Sequence, residues 1–160
     1  MSHAISLRFK SELRAPAARV WEWITSVDSV SAEMRPLLRM TWPKGVRSLG
    51  ELDIHPGVRL FRSRVYLFGV LPIDYSDMTL LEFTPGEGFL EQSPMGSMKL
   101  WRHERRIASS TTDPAGVILI DELTFEPRRA KPVVGWFIRR FFMHRHDVLR
   151  AKLGGIMQGS

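Results

Sequence analysis

Between Val58 and Glu126 the chain offers five strand-like segments, and after Lys131 its apolar pattern changes once, to the period of a helix. The segments are Val58–Phe68, Ile73–Phe83, Gly88–Gln92, Ser97–Ala108 and Val117–Glu126. Turn residues separate them at Gly69 to Pro72, Pro85-Gly86-Glu87, Ser93-Pro94-Met95-Gly96 and Asp113-Pro114-Ala115-Gly116. Links this short permit hairpins and exclude the long crossover that parallel strands require. The pattern therefore predicts an antiparallel meander followed by one long helix over residues 131–153.

The N-terminal third fits around this core. Ile5, Leu7, Phe9 and Leu13 alternate with Ser6, Arg8, Lys10 and Glu12, which predicts a half-buried strand. Ala15-Pro16 opens a helix, with proline at its first position, and Val20, Trp21 and Ile24 form its apolar stripe. Asp28 or Ser29 caps a second short helix that carries Val30 and Met34 and ends at Pro36. Leu38–Trp42 reads as a short strand, and residues 43–57 as loop with room for another near Leu52–Ile54. The fold class expected is α+β. It comprises a curved antiparallel sheet of about six or seven strands, two short helices near the N-terminus, and the long C-terminal helix over the concave face. One helix cannot fill the concave side of a wide curved sheet, so a cavity is expected between them. With 160 residues and no internal repeat, residues 1–160 are expected to form a single ligand-binding domain.

The order of elements resembles the helix-grip fold of the SRPBCC superfamily, which holds START-like proteins, birch-pollen-allergen-like proteins and polyketide cyclases. The local wording agrees. The run from Phe9 through Leu13-Arg14-Ala15-Pro16-Ala17 to Val20-Trp21-Glu22-Trp23 looks like the superfamily's strand, small-Pro, Val-Trp helix opening. Trp101-x-His103, then Asp121-Glu122-x-x-Phe125, then Phe141-Phe142-x-x-Arg145-His146 resemble the ordered motifs of a bacterial subgroup described mostly as ligand-binding. Some relatives carry a second histidine two residues after the first, where this chain has Arg105. The resemblance implies a cavity for an apolar small molecule or lipid, and no particular reaction, since members include carriers, hydrolases, cyclases and regulators.

Strand parity nominates the groups that face the cavity. Val117, Leu119, Leu123 and Phe125 share a face with Asp121, so this carboxylate is expected to be buried and paired. Trp101, His103, Arg105 and Ile107 share a face on the preceding strand, which brings His103 or Arg105 within reach of Asp121. One reading is an ion pair that fixes strand register; the other is a polar anchor in the ligand pocket. On the long helix, Val134, Phe137, Ile138, Phe141, Val148 and Leu149 form the inner stripe, with Arg145 inside it and His144 at its edge. Arg139, His146 and Arg150 fall on the opposite side beside Trp136 and Met143. Arg145 thus points toward the sheet, within reach of Asp121 or of a ligand carboxylate. Tyr75 shares its face with Ile73, Leu81 and Phe83 and is expected to line the pocket, with Asp77 as a second buried carboxylate. The expected ligand-binding set is Tyr75, Trp101, His103, Asp121, Phe137, Phe141 and Arg145, with no catalytic residue assigned.

Other functions find less support. Cysteine is absent, so no thiolate metal site, disulfide or cysteine nucleophile exists. His144 and His146 diverge on a helix, and no metal-binding or phosphate-cradling motif occurs, so no metal and no cofactor are expected. The first residues lack the apolar run of a signal peptide, and a cytoplasmic location is expected. Binding of a hydrophobic small molecule or lipid, with an acidic or polar head group, leads. A cyclase or dehydratase in the same cavity is the alternative, using His103 or Tyr75 as acid or base.

Charge supplies a third possibility. The net charge is +6, but residues 128–152 hold eight basic residues and one acid, whereas the rest of the chain holds 15 and 16. The excess belongs to the last helix and its lead-in. Its outer side suggests peripheral contact with an anionic membrane or a protein partner. No nucleic-acid recognition motif accompanies the charge, and the sequence leaves the oligomeric state open.

Overall fold

The computed structural model describes residues 4–155. Its seven strands form one antiparallel sheet in the order β1-β7-β6-β5-β4-β3-β2. They are β1 (Ile5–Leu13), β2 (Leu38–Met40), β3 (Arg59–Leu67), β4 (Leu71–Thr84), β5 (Gly88–Gln92), β6 (Met98–Ser109) and β7 (Val117–Pro127). From β2 to β7 the chain is a plain meander, and β1 returns to flank β7. Helices α1 (Ala17–Thr25) and α2 (Val27–Met34) fill the β1–β2 link, and α3 (Lys131–Lys152) crosses the sheet. No helix among the described residues is long and apolar enough to cross a membrane.

Local sequence explains most boundaries. Pro16 sits one position earlier than expected, as the cap residue of α1. Ser26, not Asp28 or Ser29, caps α2, accepting a hydrogen bond from the Ser29 amide at 3.3 Å. The strand allowed near Leu52–Ile54 does not form. A 3-10 turn over Leu49–Glu51 stands before it, and its buried Leu49 plugs the core. Gly88 lies at a close approach: a β-carbon there would stand 2.3 Å from the Arg105 carbonyl oxygen, so only glycine lets β5 run against β6 at this point.

The core divides into two apolar clusters. One gathers Leu13, Val20, Ile24, Leu119 and Leu149 where α1, β1, β7 and the end of α3 meet. The other gathers Met34, Met98, Leu123, Phe125, Ile138, Phe141 and Phe142 beneath the middle of α3. Phe142 is fully buried, its ring 5.8 Å from Phe9, 5.2 Å from His103 and 6.4 Å from Trp101.

Phe142 also corrects the helical projection. The buried face of α3 is Ile138, Phe141, Phe142, Arg145, His146 and Leu149, while Val134, Phe137 and Val148 are only partly covered. The stripe is turned toward β1, because Phe9 and Ser11 offer partners there for Phe142 and His146. His146 therefore points inward, contrary to expectation. Arg150 is half-buried, bonded to Ser11 and Asp147, so of the expected outer basic set only Arg139 is exposed, next to the exposed Arg140, Trp136 and Met143. Replacing Phe142 with Ala is expected to cost about 3–5 kcal/mol, read as a drop in urea midpoint with an unchanged slope.

Candidate functional site

The centre of the sheet carries charge where a core ordinarily carries none. Asp121 on β7 lies directly opposite Phe9 on β1 and Arg105 on β6, and both Asp121 and Arg105 have no solvent exposure. Arg105 grips Asp121 with Nε to Oδ1 at 2.9 Å and Nη2 to Oδ2 at 3.0 Å. The same guanidinium grips Glu33 of α2, with Nη1 to Oε2 at 3.0 Å and Nη2 to Oε1 at 2.8 Å. This double fork matches planar guanidinium to two planar carboxylates, which a lysine could not do.

Four further donors complete the network. The indole Nε1 of Trp23 donates to Glu33 at 2.8 Å, and Arg145 Nε donates to its other oxygen at 3.2 Å. His103 Nε2 meets Asp121 Oδ1 at 2.7 Å, and His146 Nε2 meets Asp121 Oδ2 at 2.7 Å. A carboxylate only accepts, so each imidazole carries its proton on Nε2. His146 Nδ1 then takes a bond at 2.7 Å from Ser11 Oγ, which itself accepts from Arg150 at 2.9 Å.

Both predicted partners of Asp121, His103 and Arg105, are thus bound to it at once. Arg145 does point inward, but its carboxylate is Glu33 rather than Asp121. A second imidazole reaches Asp121 from the helix, as His146.

Electrostatics follow from this packing. Burial resists the charged form of Asp121, but Arg105 and His103 outweigh it and hold its pKa well below the ordinary range. Glu33 behaves likewise: burial is outweighed by Arg105 and Arg145, and its pKa is lowered. Burial also disfavours protonated His103, yet Asp121, with help from Glu91, leaves its pKa raised. Arg145 is the exception. Burial and repulsion from Arg105 exceed the pull of Glu33 and Asp121, so its pKa is lowered.

Beside the network lies a cavity of about 480 Å³ between the sheet and α3. Its walls are almost wholly apolar and include Met34, Met40, Trp42, Met78, Met95, Met98, Trp101, Phe137 and Phe141. At one end of the wall stand Arg145, His103 and Glu91. The two terminal amino groups of Arg145 have no hydrogen-bond partner among the described residues, and its guanidinium carbon lies 5.0 Å from the Phe142 ring centre. His103 Nδ1 lies 3.8 Å from Glu91, which accepts a 2.6 Å bond from Ser93.

Of the seven nominated residues, Trp101, His103, Phe137, Phe141 and Arg145 line this cavity. Asp121 stands behind His103, sealed from the cavity space. Tyr75 faces the other way, 38% exposed, with the Arg62 guanidinium 4.3 Å from its ring centre. Asp77 is paired outside with Arg62 at 2.7 Å. The expectation for both fails because one parity was assumed along residues 73–83. The β4–β5 pairing slips between Leu80 and Glu82, and such an irregularity inverts the inward set. Asp74, Ser76, Met78 and Leu80 face the cavity, while Phe83 beyond the slip packs on Trp21 at 5.3 Å. Glu33 escaped the sequence reading, although its spacing from Val30 and Met34 sets it on the inner stripe of α2.

A half-wrapped antiparallel meander gripping one long helix, with an apolar cavity between them, is the SRPBCC or helix-grip fold. Solved structures agree over nearly the whole chain. A START superfamily protein from Mycobacterium smegmatis superposes with a TM-score of 0.64 at 11% identity, covering 96% of this chain and 98% of that one. The aromatase/cyclase Zhui from Streptomyces sp. R1128 gives 0.65 at 13%, covering 95% and 94%. A structural-genomics target from Chromobacterium violaceum gives 0.66 at 14%, covering 92% and 96%. Residues 11–153 match the family model described as "Domain of unknown function (DUF8410)", and the chain belongs to that family. No curated protein matches the sequence.

Two outcomes follow from the network. Glu33→Ala leaves Arg105 and Arg145 underpaired in the core and is expected to destabilise by about 3–5 kcal/mol, measurable by chemical denaturation. Stability should also peak between about pH 4.5 and 6.5. Below that range it falls as Glu33 and Asp121 are protonated through their lowered folded pKa values. Above it, stability falls as His103 loses its proton through its raised folded value. Denaturant midpoints across pH should show both limbs, and His103→Gln should remove the alkaline one.

Proposed function

We propose that this protein binds a hydrophobic small molecule or lipid in the cavity between sheet and α3, with a carbonyl or carboxylate head against Arg145. One observation carries the reading. An apolar cavity of about 480 Å³ receives the guanidinium of Arg145, whose outer amino groups have no acceptor among the described residues and open onto the cavity. A ligand that fills this space displaces water from these donors, and a ligand oxygen answers them in its place. A ligand anion would also offset the repulsion Arg145 feels from Arg105. The volume lies within the usual range for small-molecule sites. Five methionines on the wall give it the adaptable surface that suits a flexible or irregular apolar body. Structural neighbours that include a START superfamily protein and an aromatase/cyclase are consistent with a ligand-binding fold.

The test compares an acid with its alcohol. Dodecanoate should bind the wild-type protein more tightly than dodecanol. Arg145→Gln should weaken dodecanoate by about tenfold or more, the loss of a charged hydrogen bond, and leave dodecanol nearly unchanged. Equal losses for both, measured by displacement of a fluorescent dye, would argue against a head-group role for Arg145. Native mass spectrometry of the purified protein should reveal a co-purifying apolar ligand.

A second reading has its own observation. Asp121 holds the His103 Nε2 proton and leaves Nδ1 turned toward Glu91 and the cavity, which is the arrangement of an oriented base. The function would then be a cyclase or dehydratase reaction on an enolisable ligand. That reading expects conversion of the co-purified ligand to be lost in His103→Gln with binding retained, whereas a pure binding protein shows no conversion in either form.

A further inference from the structure

The cavity has a second polar end that the head-group reading does not use. Ser76 on β4 is 98% buried and is among the residues that line the cavity, and its hydroxyl is the one buried side-chain polar atom without a hydrogen-bond partner among the described residues. Asp74, two residues back on the same strand face, and Ser97 line the cavity at the same end. Their partners are fixed. Asp74 accepts from the amides of Tyr75 at 2.8 Å and Ser97 at 3.0 Å, and also from the Ser97 hydroxyl. Ser97 Oγ, having given its proton to Asp74, keeps its lone pairs. This end therefore presents one uncommitted hydroxyl beside acceptors.

The two polar ends are well separated. Leu80, four residues along β4 from Ser76, pairs with Glu91, and Glu91 pairs with His103. Four strand residues span roughly 13 Å, and the space between is walled by apolar groups such as Met78.

Resting on the ligand-binding reading, we propose that Ser76, with Asp74 and Ser97, forms a subsite for a neutral hydroxyl at the far end of an elongated apolar ligand whose acceptor head meets Arg145. A hydroxyl both accepts, from Ser76, and donates, to the lone pairs beside it. A carboxylate at this end would instead face Asp74, with the lining cation Arg145 at the opposite end. The ligand class is thus a bipolar molecule, apolar along its middle and bearing an acceptor at one end and a hydroxyl at the other.

The probes are ω-hydroxy fatty acids of about ten to fourteen carbons, chosen to span the roughly 13 Å between the ends, each compared with its parent acid. In the wild-type protein the best-fitting hydroxy acid should bind about five- to tenfold more tightly than its parent, the worth of a hydrogen bond that satisfies a buried group. Ser76→Ala should erase that preference, so that the hydroxy acid binds no more tightly than its parent. The free Ser76→Ala protein should also melt roughly 2–4 °C higher, because it no longer buries an unanswered hydroxyl. Parent acids that bind without any hydroxyl preference overturn the subsite and leave the binding reading standing, as does a preference that survives Ser76→Ala. A lower melting temperature for Ser76→Ala shows the hydroxyl to be partnered in the free protein and overturns it too. If no acid of either series binds, the ligand-binding reading as argued falls, and the subsite with it.

Discussion

The double fork of Arg105 is the constraint around which the fold is arranged. A guanidinium at the centre of a sheet is tolerable only if its donors are answered and its charge is matched. One carboxylate, Asp121, comes from the neighbouring strand, and the other, Glu33, comes from a helix far away in sequence. Satisfying Arg105 therefore fixes where α2 sits on the sheet. Trp23 then ties α1 to Glu33, and Arg145 ties α3 to it. His144 adds a bond to the Arg35 carbonyl at the end of α2. Two arginines face two carboxylates in full burial, so the cluster is balanced, with the imidazoles tuning Asp121. Interactions of this kind contribute little net stability compared with an apolar core, but breaking one member is expensive. They select a single arrangement of helices over the sheet, and that arrangement leaves the cavity open.

Much of this was legible from residue order. The alternation in β1 and β7 and the single change of period at Lys131 specify strands, helix and their sequence, because short turns leave few topologies. The shared face of Trp101, His103 and Arg105 against Asp121 was equally readable, since cross-strand neighbours follow from hairpin register. The failures have specific causes. A single parity along β4 predicts Tyr75 and Asp77 inward, but a bulge further along the strand reverses that parity and leaves no clear mark in sequence. An ideal helical projection predicts His146 outward, because it does not say how a helix rolls on its sheet; Phe9 and Ser11 decide that roll. The pairing of Glu33 carries no signal of its own, because a carboxylate on a short helix finds its partner only through tertiary contact.

The same distinction separates the two kinds of residue in the cavity. Its apolar wall is built from strongly patterned positions and is what any helix-grip chain must provide. Its polar groups are few and placed individually. Arg145 gives its Nε to Glu33 and has two amino groups without an acceptor among the described residues. His103 gives one nitrogen to Asp121 and turns the other toward Glu91. In both cases a single side chain belongs to the ionic network and to the pocket surface together. The chemistry of the site thus cannot be altered without touching the structure that holds it.

That shared duty falls unevenly along α3. Its C-terminal half carries Arg145 and His146 and is fastened to Glu33 and Asp121 by charged hydrogen bonds. Its N-terminal half covers the cavity through Val133, Val134, Trp136 and Phe137, of which Val133 and Trp136 are largely exposed. Apolar contact holds the first half and charged hydrogen bonds hold the second, so one helix is fastened to the sheet by two different kinds of force, and only the apolar one borders the bulk of the cavity.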